Sequence, residues 1–332
     1  MVSTLVTGGN GFLGSHLTRE LLRQGHRVRV LAQEGTDTRR IDGLDVELVR
    51  GDLLSRPTLE QACTGIELVF HLAGVVQDHG PADLFKRVNV GGTRNLLHAA
   101  IDCQVRRLIF TSSLAVHRYR GISHGDESWP RDNLRQPYGA SKIACEDLLL
   151  QAHRERRIET VIVRPGVFPF GPDDRLVLPQ LVHQRRRFRY VAGGRARLCT
   201  AFAPNLAQGL VLCGTVGRAA GEVYVIADDE TPTWRELMER LFGGLQLDPP
   251  RRSVPLWLAL TGATLAEGWA AVARPAGGAL INRYRVALSG RDCVFVNHKA
   301  RAELGWDPQV GLEQALARTT DWLREQLQEH GA

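Results

Sequence analysis

The run Thr7-Gly8-Gly9-Asn10-Gly11-Phe12-Leu13-Gly14 constrains the fold of this chain more than any other feature. Before it stands Val2-Ser3-Thr4-Leu5-Val6, apolar and rich in β-branched residues, which reads as a buried strand. After it, Leu17, Leu21 and Leu22 fall at helical spacing. Strand, glycine turn and helix in this order form a dinucleotide-binding arrangement in which each glycine has its own job. An early glycine permits the tight turn, Gly11 lets backbone approach a pyrophosphate, and Gly14 lets the helix pack close on the strand. The first helical turn then offers free N–H groups and the positive end of its dipole to the phosphates. A strand that begins at Val2 leaves no room for a targeting segment, so a cytoplasmic location is expected.

The same alternation continues. Residues 28–31, 46–49, 66–72, 108–111 and 160–163 are strand-like, and helical patterns at 58–63, 84–101 and 141–153 lie between most of them. This predicts an α/β fold, a doubly wound parallel sheet of the Rossmann type. After about residue 170, Pro172, Pro179, Pro204, Pro232, Pro249, Pro250, Pro255 and Pro275 break the chain into shorter elements. The expected division is a dinucleotide-binding domain over 1–170 and a smaller, mainly substrate-binding lobe over 171–332, with some segments, such as 223–226, returning to the sheet. An amphipathic helix over 312–327 closes the chain.

Composition narrows the function classes. With 332 residues, 43% hydrophobic and 23% charged, the chain is neither disordered nor a disulfide-knotted mini-protein. The six cysteines include no Cys-x-x-Cys pair, so they read as reduced thiols and no metal site is expected. The net charge of +6 comes largely from arginine runs such as Arg185-Arg186-Arg187 without interleaved aromatics, and no nucleic-acid partner is expected.

Pro137-Tyr138-Gly139-Ala140-Ser141-Lys142 opens a helix with Tyr138 and Lys142 at i and i+4, on one face. A nearby ammonium stabilises a phenolate, so the pair is a plausible proton relay to an alcohol or carbonyl oxygen. Thr111-Ser112-Ser113 ends a strand upstream, at the carboxyl edge where open α/β sheets bind ligands.

These residues resemble the extended short-chain dehydrogenase/reductases. The likeness spans nearly the whole chain: the glycine run, Gly51-Asp52-Leu53, His71-Leu72-Ala73-Gly74, Asn89-Val90-x-Gly92-Thr93, Thr111-Ser112-Ser113, Tyr138-x-x-x-Lys142 with Glu146, Arg164-Pro165, Gly171-Pro172, and Lys299 to Trp306. The resemblance implies a catalytic set of Ser113, Tyr138 and Lys142: a hydroxyl that orients the substrate oxygen, a general acid/base, and its electrostatic partner and ribose ligand. It implies cofactor contacts from Gly8, Asn10, Gly11, Phe12, Leu13 and Gly14 at the phosphates. Asp52 and Leu53 match the adenine-contacting pair, and Leu72, Ala73 and Gly74 the loop under the adenosine ribose. Thr111, Tyr138 and Lys142 lie nearer the nicotinamide, beside Pro165, Gly166 and Val167. Asn89 on the central helix completes the set in a structural role.

The end of the second strand, Val30-Leu31-Ala32-Gln33-Glu34, carries neither the acid that selects NAD nor the arginine that selects NADP. Arg39 and Arg40 follow, and with Gln33 they are expected near a 2′-phosphate. The cofactor is NAD(H) or NADP(H), with the lean to NADP(H). Residues 254–272, with Glu267 as their only charge, together with Tyr284 to Asp292, are similar to the 3β-hydroxysteroid dehydrogenase branch. The 254–272 segment is expected as a buried or capping helix beside an apolar pocket; peripheral membrane contact is the alternative. The expected reaction moves hydride between a nicotinamide and the alcohol or ketone carbon of an apolar substrate, such as a 3β-hydroxysterol or a 4-carboxysterol that loses carbon dioxide after oxidation. Alternatives are a flavonol-type or β-ketoacyl ketone reductase, a nucleotide-sugar epimerase, and a non-catalytic dinucleotide sensor. The expected partners are a small apolar substrate and a second copy of the chain in a homodimer.

Overall fold

The structure, a computed structural model, describes residues 1–77, 79–133, 135–273 and 281–329. The N-terminal half lays down β1 (Ser3–Thr7), α1 (Phe12–Arg23), β2 (Arg27–Ala32), β3 (Val46–Arg50), β4 (Leu68–His71) and β5 (Arg107–Thr111). Strands Glu159–Pro165 and Val223–Ile226 complete a seven-stranded sheet. Its spatial order is Val223–Ile226, Glu159–Pro165, β5, β4, β1, β2, β3, and all pairings are parallel. The order reverses between β1 and β4, so the crevice at their carboxyl ends is the topological switch point where such sheets bind ligands. The near-continuous apolar character of β1, β4 and β5 follows from burial on both sheet faces.

One face is covered by α1 and by helix Ala203–Thr215, with Leu17, Leu21, Leu206 and Leu210 packed on Val6, Phe70 and Val163. Helices Arg56–Cys63, Gly92–Asp102 and Pro137–Arg154 cover the other, with Leu59, Leu96 and Leu149 against Val69 and Leu108. Residues on both sides of position 171 therefore build the sheet layer. At the foot of β5, the buried Arg107 donates to the carbonyls of Cys213, Gly214 and Val216 at 3.0, 3.2 and 2.7 Å and pairs with Glu159 at 2.8 Å. It thereby fills the unsatisfied C-terminal carbonyls of helix Ala203–Thr215.

The rest of the later chain forms a second core around Phe170, Tyr190, Phe202, Met238 and Phe242, closed by helix Leu312–Glu329. Helix Leu256–Ala273 departs from its expected burial. It packs through Ala263, with Ala259 and Leu260, on Val191 and Val286, while Trp257, Leu265 and Trp269 are 69%, 70% and 64% exposed. Among the described residues, strand Tyr190–Val191 and helix Arg283–Gly290 cover one of its sides. Among the described residues, no helix is long and apolar enough to cross a membrane.

The helix expected over 84–101 is interrupted. Ala82–Phe85 is α-helical, Lys86–Gly91 is a π-helix, and Gly92–Asp102 resumes the α-form. Such π-segments are frequent at functional sites.

Candidate active site

The glycine turn forms as its sequence requires. Gly8 sits at φ +72°, and its carbonyl accepts from the Gly11 N–H at 2.9 Å. A Cβ on Gly14 would overlap the Gly8 carbonyl oxygen, so only glycine lets α1 start this close to the turn. Gly11 caps α1 without a side-chain bond, leaving the first-turn N–H groups of Phe12, Leu13 and Gly14 to face the crevice. The Asn10 amide donates to Thr36 Oγ1 at 3.1 Å and to the Asp37 carbonyl at 2.9 Å, tying the turn to the loop after β2.

On the adenosine side, Gln33 at the end of β2 donates to Asp52 Oδ2 at 3.2 Å, and Leu53 is buried against Gly92. Arg39 and Arg40 are both engaged. Asp37 holds the Arg39 guanidinium at 2.8–3.1 Å, and Arg40 donates to the Asp173 carbonyl at 3.1 Å. After β4, Leu72 and Ala73 bond to the Thr7 carbonyl and hydroxyl at 3.2 and 3.3 Å. Gly74 is followed by Val75, whose N–H donates to Asn89 Oδ1 at 2.8 Å. The Asn89 amide returns to the Val75 carbonyl and reaches Ser141 Oγ, both at 3.1 Å, so the π-helix splints the β4 loop to the helix that carries Tyr138.

Ser113, Tyr138 and Lys142 come together at the carboxyl end of β5. A Cβ on Gly139 would overlap the Ala115 carbonyl, so helix Pro137–Arg154 starts in close contact with the turn after Ser113. Gln136 and Pro137 open this helix, the Gln136 side chain accepting from the Gly139 N–H. The Ser113 hydroxyl accepts from the Ala115 N–H at 3.1 Å and stands beside the Tyr138 phenol, whose pKa it lowers. Lys142 Nζ donates to the Thr111 carbonyl at 2.9 Å and lies 4.5 Å from the Phe110 ring centroid and 5.8 Å from that of Tyr138. Tyr138 forms an apolar cluster with Phe85 and Ala115, against which Val75 and Tyr284 pack, and the Tyr284 hydroxyl lies 3.3 Å from that of Tyr119.

The electrostatics correct one expectation. Burial pushes the Tyr138 phenol up to about 12, and the Ser113 hydroxyl only partly opposes it; no lowering by Lys142 appears. The phenol is therefore neutral at pH 7 and holds a proton to give. Burial also pulls Lys142 down to about 8, because a buried ammonium loses its hydration. His71 is pulled to about 3, first by burial and then by the Lys142 charge. Its neutral ring bridges Thr7 Oγ1 at 2.8 Å and Thr93 Oγ1 at 3.0 Å.

Behind the site lies a buried ionic knot. Glu146 accepts from Arg164 at 3.0 and 2.7 Å, from Ser112 at 2.6 Å and from Arg131 at 3.2 Å. Burial raises the Glu146 carboxyl, but the arginines and Ser112 outweigh it and the net shift is downward. The sequence contains Glu146 one turn past Lys142, which is the signal for its facing inward; the Ser112 and Arg164 contacts are long-range.

The crevice fits a dinucleotide. The glycine turn leaves backbone where any side chain would intrude, and the buried Thr111 hydroxyl beside Lys142 has no hydrogen-bond partner among the described residues. On the nicotinamide side, Pro165 ends its strand. Gly166 follows, bonded to the Ile226 carbonyl at 2.9 Å, and Val167 packs between two cores.

Residues 5–256 match the 3-beta hydroxysteroid dehydrogenase/isomerase family. The chain is 33% identical over 320 residues to a 4-hydroxy-2-methyl-3-oxo-4-farnesyl-3,4-dihydroquinoline-1-oxide ketoreductase of Stigmatella aurantiaca, covering 94% of each chain. It is 31% identical to the sterol-4-alpha-carboxylate 3-dehydrogenase (decarboxylating) of Homo sapiens, covering 96% of this chain and 87% of that protein. Among solved structures, gox2253 superposes with a TM-score of 0.83 at 28% identity over 100% of this chain and 99% of its own. The DesIV double mutant, a dTDP-glucose 4,6-dehydratase from Streptomyces venezuelae with NAD bound, does so with 0.78 at 26% identity over 98% of both. The ordered motifs, the switch-point crevice and these likenesses agree: the chain belongs to the 3-beta hydroxysteroid dehydrogenase/isomerase family, within the extended short-chain dehydrogenase/reductases, and is an oxidoreductase that works with a nicotinamide dinucleotide.

Proposed function

We propose that the protein interconverts an alcohol and a ketone on an apolar, sterol-like substrate. One observation carries this reading: a buried, neutral Tyr138 phenol beside Ser113 belongs to an apolar cluster with Phe85 and Ala115, against which Val75 and Tyr284 pack. Ser113 orients the substrate oxygen, and Tyr138 exchanges the proton that oxygen must gain or lose. Lys142 sets the local charge from one helical turn away. The bound nicotinamide supplies or accepts the hydride at carbon. A 3β-hydroxysterol suits the apolar walls, and a 4-carboxyl next to the new ketone would leave as carbon dioxide, as the name of the human relative describes for its own reaction.

Reduction of an apolar ketone is the second reading. A phenol pushed to about 12 is a proton donor at neutral pH, and the Stigmatella relative is named a ketoreductase. For the cofactor, no carboxylate stands at Ala32 to repel a 2′-phosphate, which favours NADP(H). Arg39 and Arg40 are both engaged, which keeps the discrimination modest. The deciding experiment follows nicotinamide absorbance with 3β-hydroxysterols, 4-carboxysterols, β-ketoacyl esters and flavanonols, in both directions. Turnover of sterols that vanishes in Tyr138→Phe supports the proposal; turnover of β-ketoacyl esters alone replaces it with the second reading. No turnover at all would overturn both and leave a dinucleotide sensor.

A further inference from the structure

Helix Leu256–Ala273 is apolar on two opposite sides, and among the described residues only one of them is packed. At 100° per residue, Ala259, Ala263 and Glu267 lie on the packed side, where Glu267 pairs with Arg283 at 2.6 Å. The opposite side presents Trp257, Leu258, Leu265 and Trp269, which are 45–70% exposed, and its sequence positions carry no charge. Thr261 and Thr264, also exposed, return their hydroxyls to the carbonyls of Trp257 and Leu260 at 2.9 and 2.8 Å. The polar groups of this face are thus already satisfied within the helix, as they must be beside hydrocarbon. A tryptophan stands near each end, about 18 Å apart along the axis, an arrangement suited to the water–lipid boundary.

Positive charge gathers at the root of the same helix. Strand Tyr190–Val191 pairs in parallel with Ser253–Val254, and the Tyr190 N–H donates to the Arg252 carbonyl at 2.9 Å. This register brings the Arg185–Arg189 segment beside Arg251 and Arg252. Arg186, Arg187 and Arg252 are exposed and make no ion pair with a described residue, while Arg251 meets Asp248 at 3.0 Å.

We infer that this face docks the protein on the surface of an anionic lipid bilayer, with the Trp257–Trp269 side seated among the headgroups and the arginines against lipid phosphates. The pattern of an uncharged apolar face beside basic residues is that of an interfacial helix, and a basic cluster next to it draws anionic lipid. A second copy of this chain fits less well, because it would bring an equally basic surface to the contact. The inference goes beyond the proposed function and also bears on it. Helix Arg283–Gly290, which packs on the docking helix, carries the Tyr284 that packs against the apolar cluster of Phe85, Ala115 and Tyr138. An apolar substrate dissolved in lipid would meet the protein one helix away from the catalytic tyrosine.

The test is flotation of the full-length protein with vesicles of phosphatidylcholine alone or with about one-third phosphatidylglycerol, at low and high salt. Binding to the anionic vesicles is expected, weakened ~10-fold or more by high salt, by Arg186→Gln/Arg187→Gln, and by Trp257→Ser/Leu265→Ser/Trp269→Ser. Dinucleotide binding, measured by calorimetry without vesicles, should stay unchanged in both variants and shows that they are folded, whatever substrate the enzyme takes. Absence of flotation by the parent protein, or flotation that the triple variant retains, overturns the inference. So does a triple variant that changes the sedimentation state of the protein with no effect on flotation, because the face would then join two copies of the chain.

Discussion

Glu146 and Arg164 meet through two hydrogen bonds, at 3.0 and 2.7 Å, with both side chains almost wholly buried. The pair lies directly behind the reactive hydroxyls: Ser112, next to Ser113, donates to the same carboxylate at 2.6 Å. Glu146 and Tyr138 share a helix, so the ion pair locks the helix that presents the phenol to the strand end that presents Ser113. We expect Glu146→Gln to lower stability by about 3–5 kcal/mol, because it leaves a buried guanidinium without its counter-ion. The sign with pH follows from the lowered carboxyl. Glu146 stabilises the fold above its ordinary value of 4.5, and that contribution is lost as pH falls through the lower folded value. Denaturant melts of both proteins between pH 7 and 3 check this, with the variant losing less on acidification.

Tyr138→Phe keeps the ring and its packing on Phe85 but removes the ionisable oxygen. Turnover should fall by ~10²–10⁴, with dinucleotide affinity within a few-fold of the parent. Ser113→Ala should behave alike with a smaller loss. Calorimetry with NADH and NADPH, run beside steady-state rates, separates the two effects.

Lys142, brought to about 8 by burial, loses its charge within an accessible range. Activity should therefore decline on an alkaline limb with an apparent pKa near 8, well below the 10.5 of an ordinary lysine. Lys142→Arg should move this limb beyond the measurable range, since guanidinium does not titrate there. A pH–rate profile of kcat/KM for both proteins is the measurement. The unfolded chain binds the Lys142 proton up to its ordinary 10.5, so Lys142 weakens the fold at neutral pH, and that cost fades as pH rises above 8.

Freeing one arginine should change cofactor choice. Asp37→Ala releases Arg39 from its chelating carboxylate and should raise NADPH affinity a few-fold, in line with the small worth of an exposed pair. Ala32→Asp should act the other way by repelling a 2′-phosphate and accepting from a ribose diol. The ratio of NADH to NADPH dissociation constants reports both.

Gly14→Ala adds a Cβ that would overlap the Gly8 carbonyl oxygen, a backbone atom unable to swing aside. It should cost about 1–3 kcal/mol of stability and abolish dinucleotide binding, whereas Gly11→Val, where the turn has more room, should abolish binding with a smaller loss of stability. Thermal melts and calorimetry distinguish these outcomes.

The sheet was legible because buried parallel strands write themselves as continuous apolar runs, and β2, β3 and β5 each lie within two residues of where those runs predict them. The glycine turn and the Tyr138–Lys142 spacing were legible because both are local geometry. What escaped is set by partners distant in the chain. Arg39 and Arg40 read as free charges until Asp37 and the Asp173 carbonyl are placed beside them. The π-helix at Lys86–Gly91 has no periodicity of its own, since one inserted residue leaves the apolar pattern on either side intact. The apolar run around Trp257 suggested burial because hydrophobicity tells nothing of which side of a helix the fold will cover.

The contact between Arg107 and the carbonyls at 213–216 sets an order on synthesis. A chain emerging from the ribosome exposes the foot of β5 about 106 residues before the helix end that satisfies it. Until that helix arrives, the guanidinium has only Glu159 to meet, and the sheet face bearing Phe70 and Val163 stays open to water. A fragment ended near residue 170 would carry the whole glycine turn and the catalytic trio and still lack one wall of its own core. The first half of the chain thus lacks part of its own core until the chain has been made through the helix that ends at Thr215.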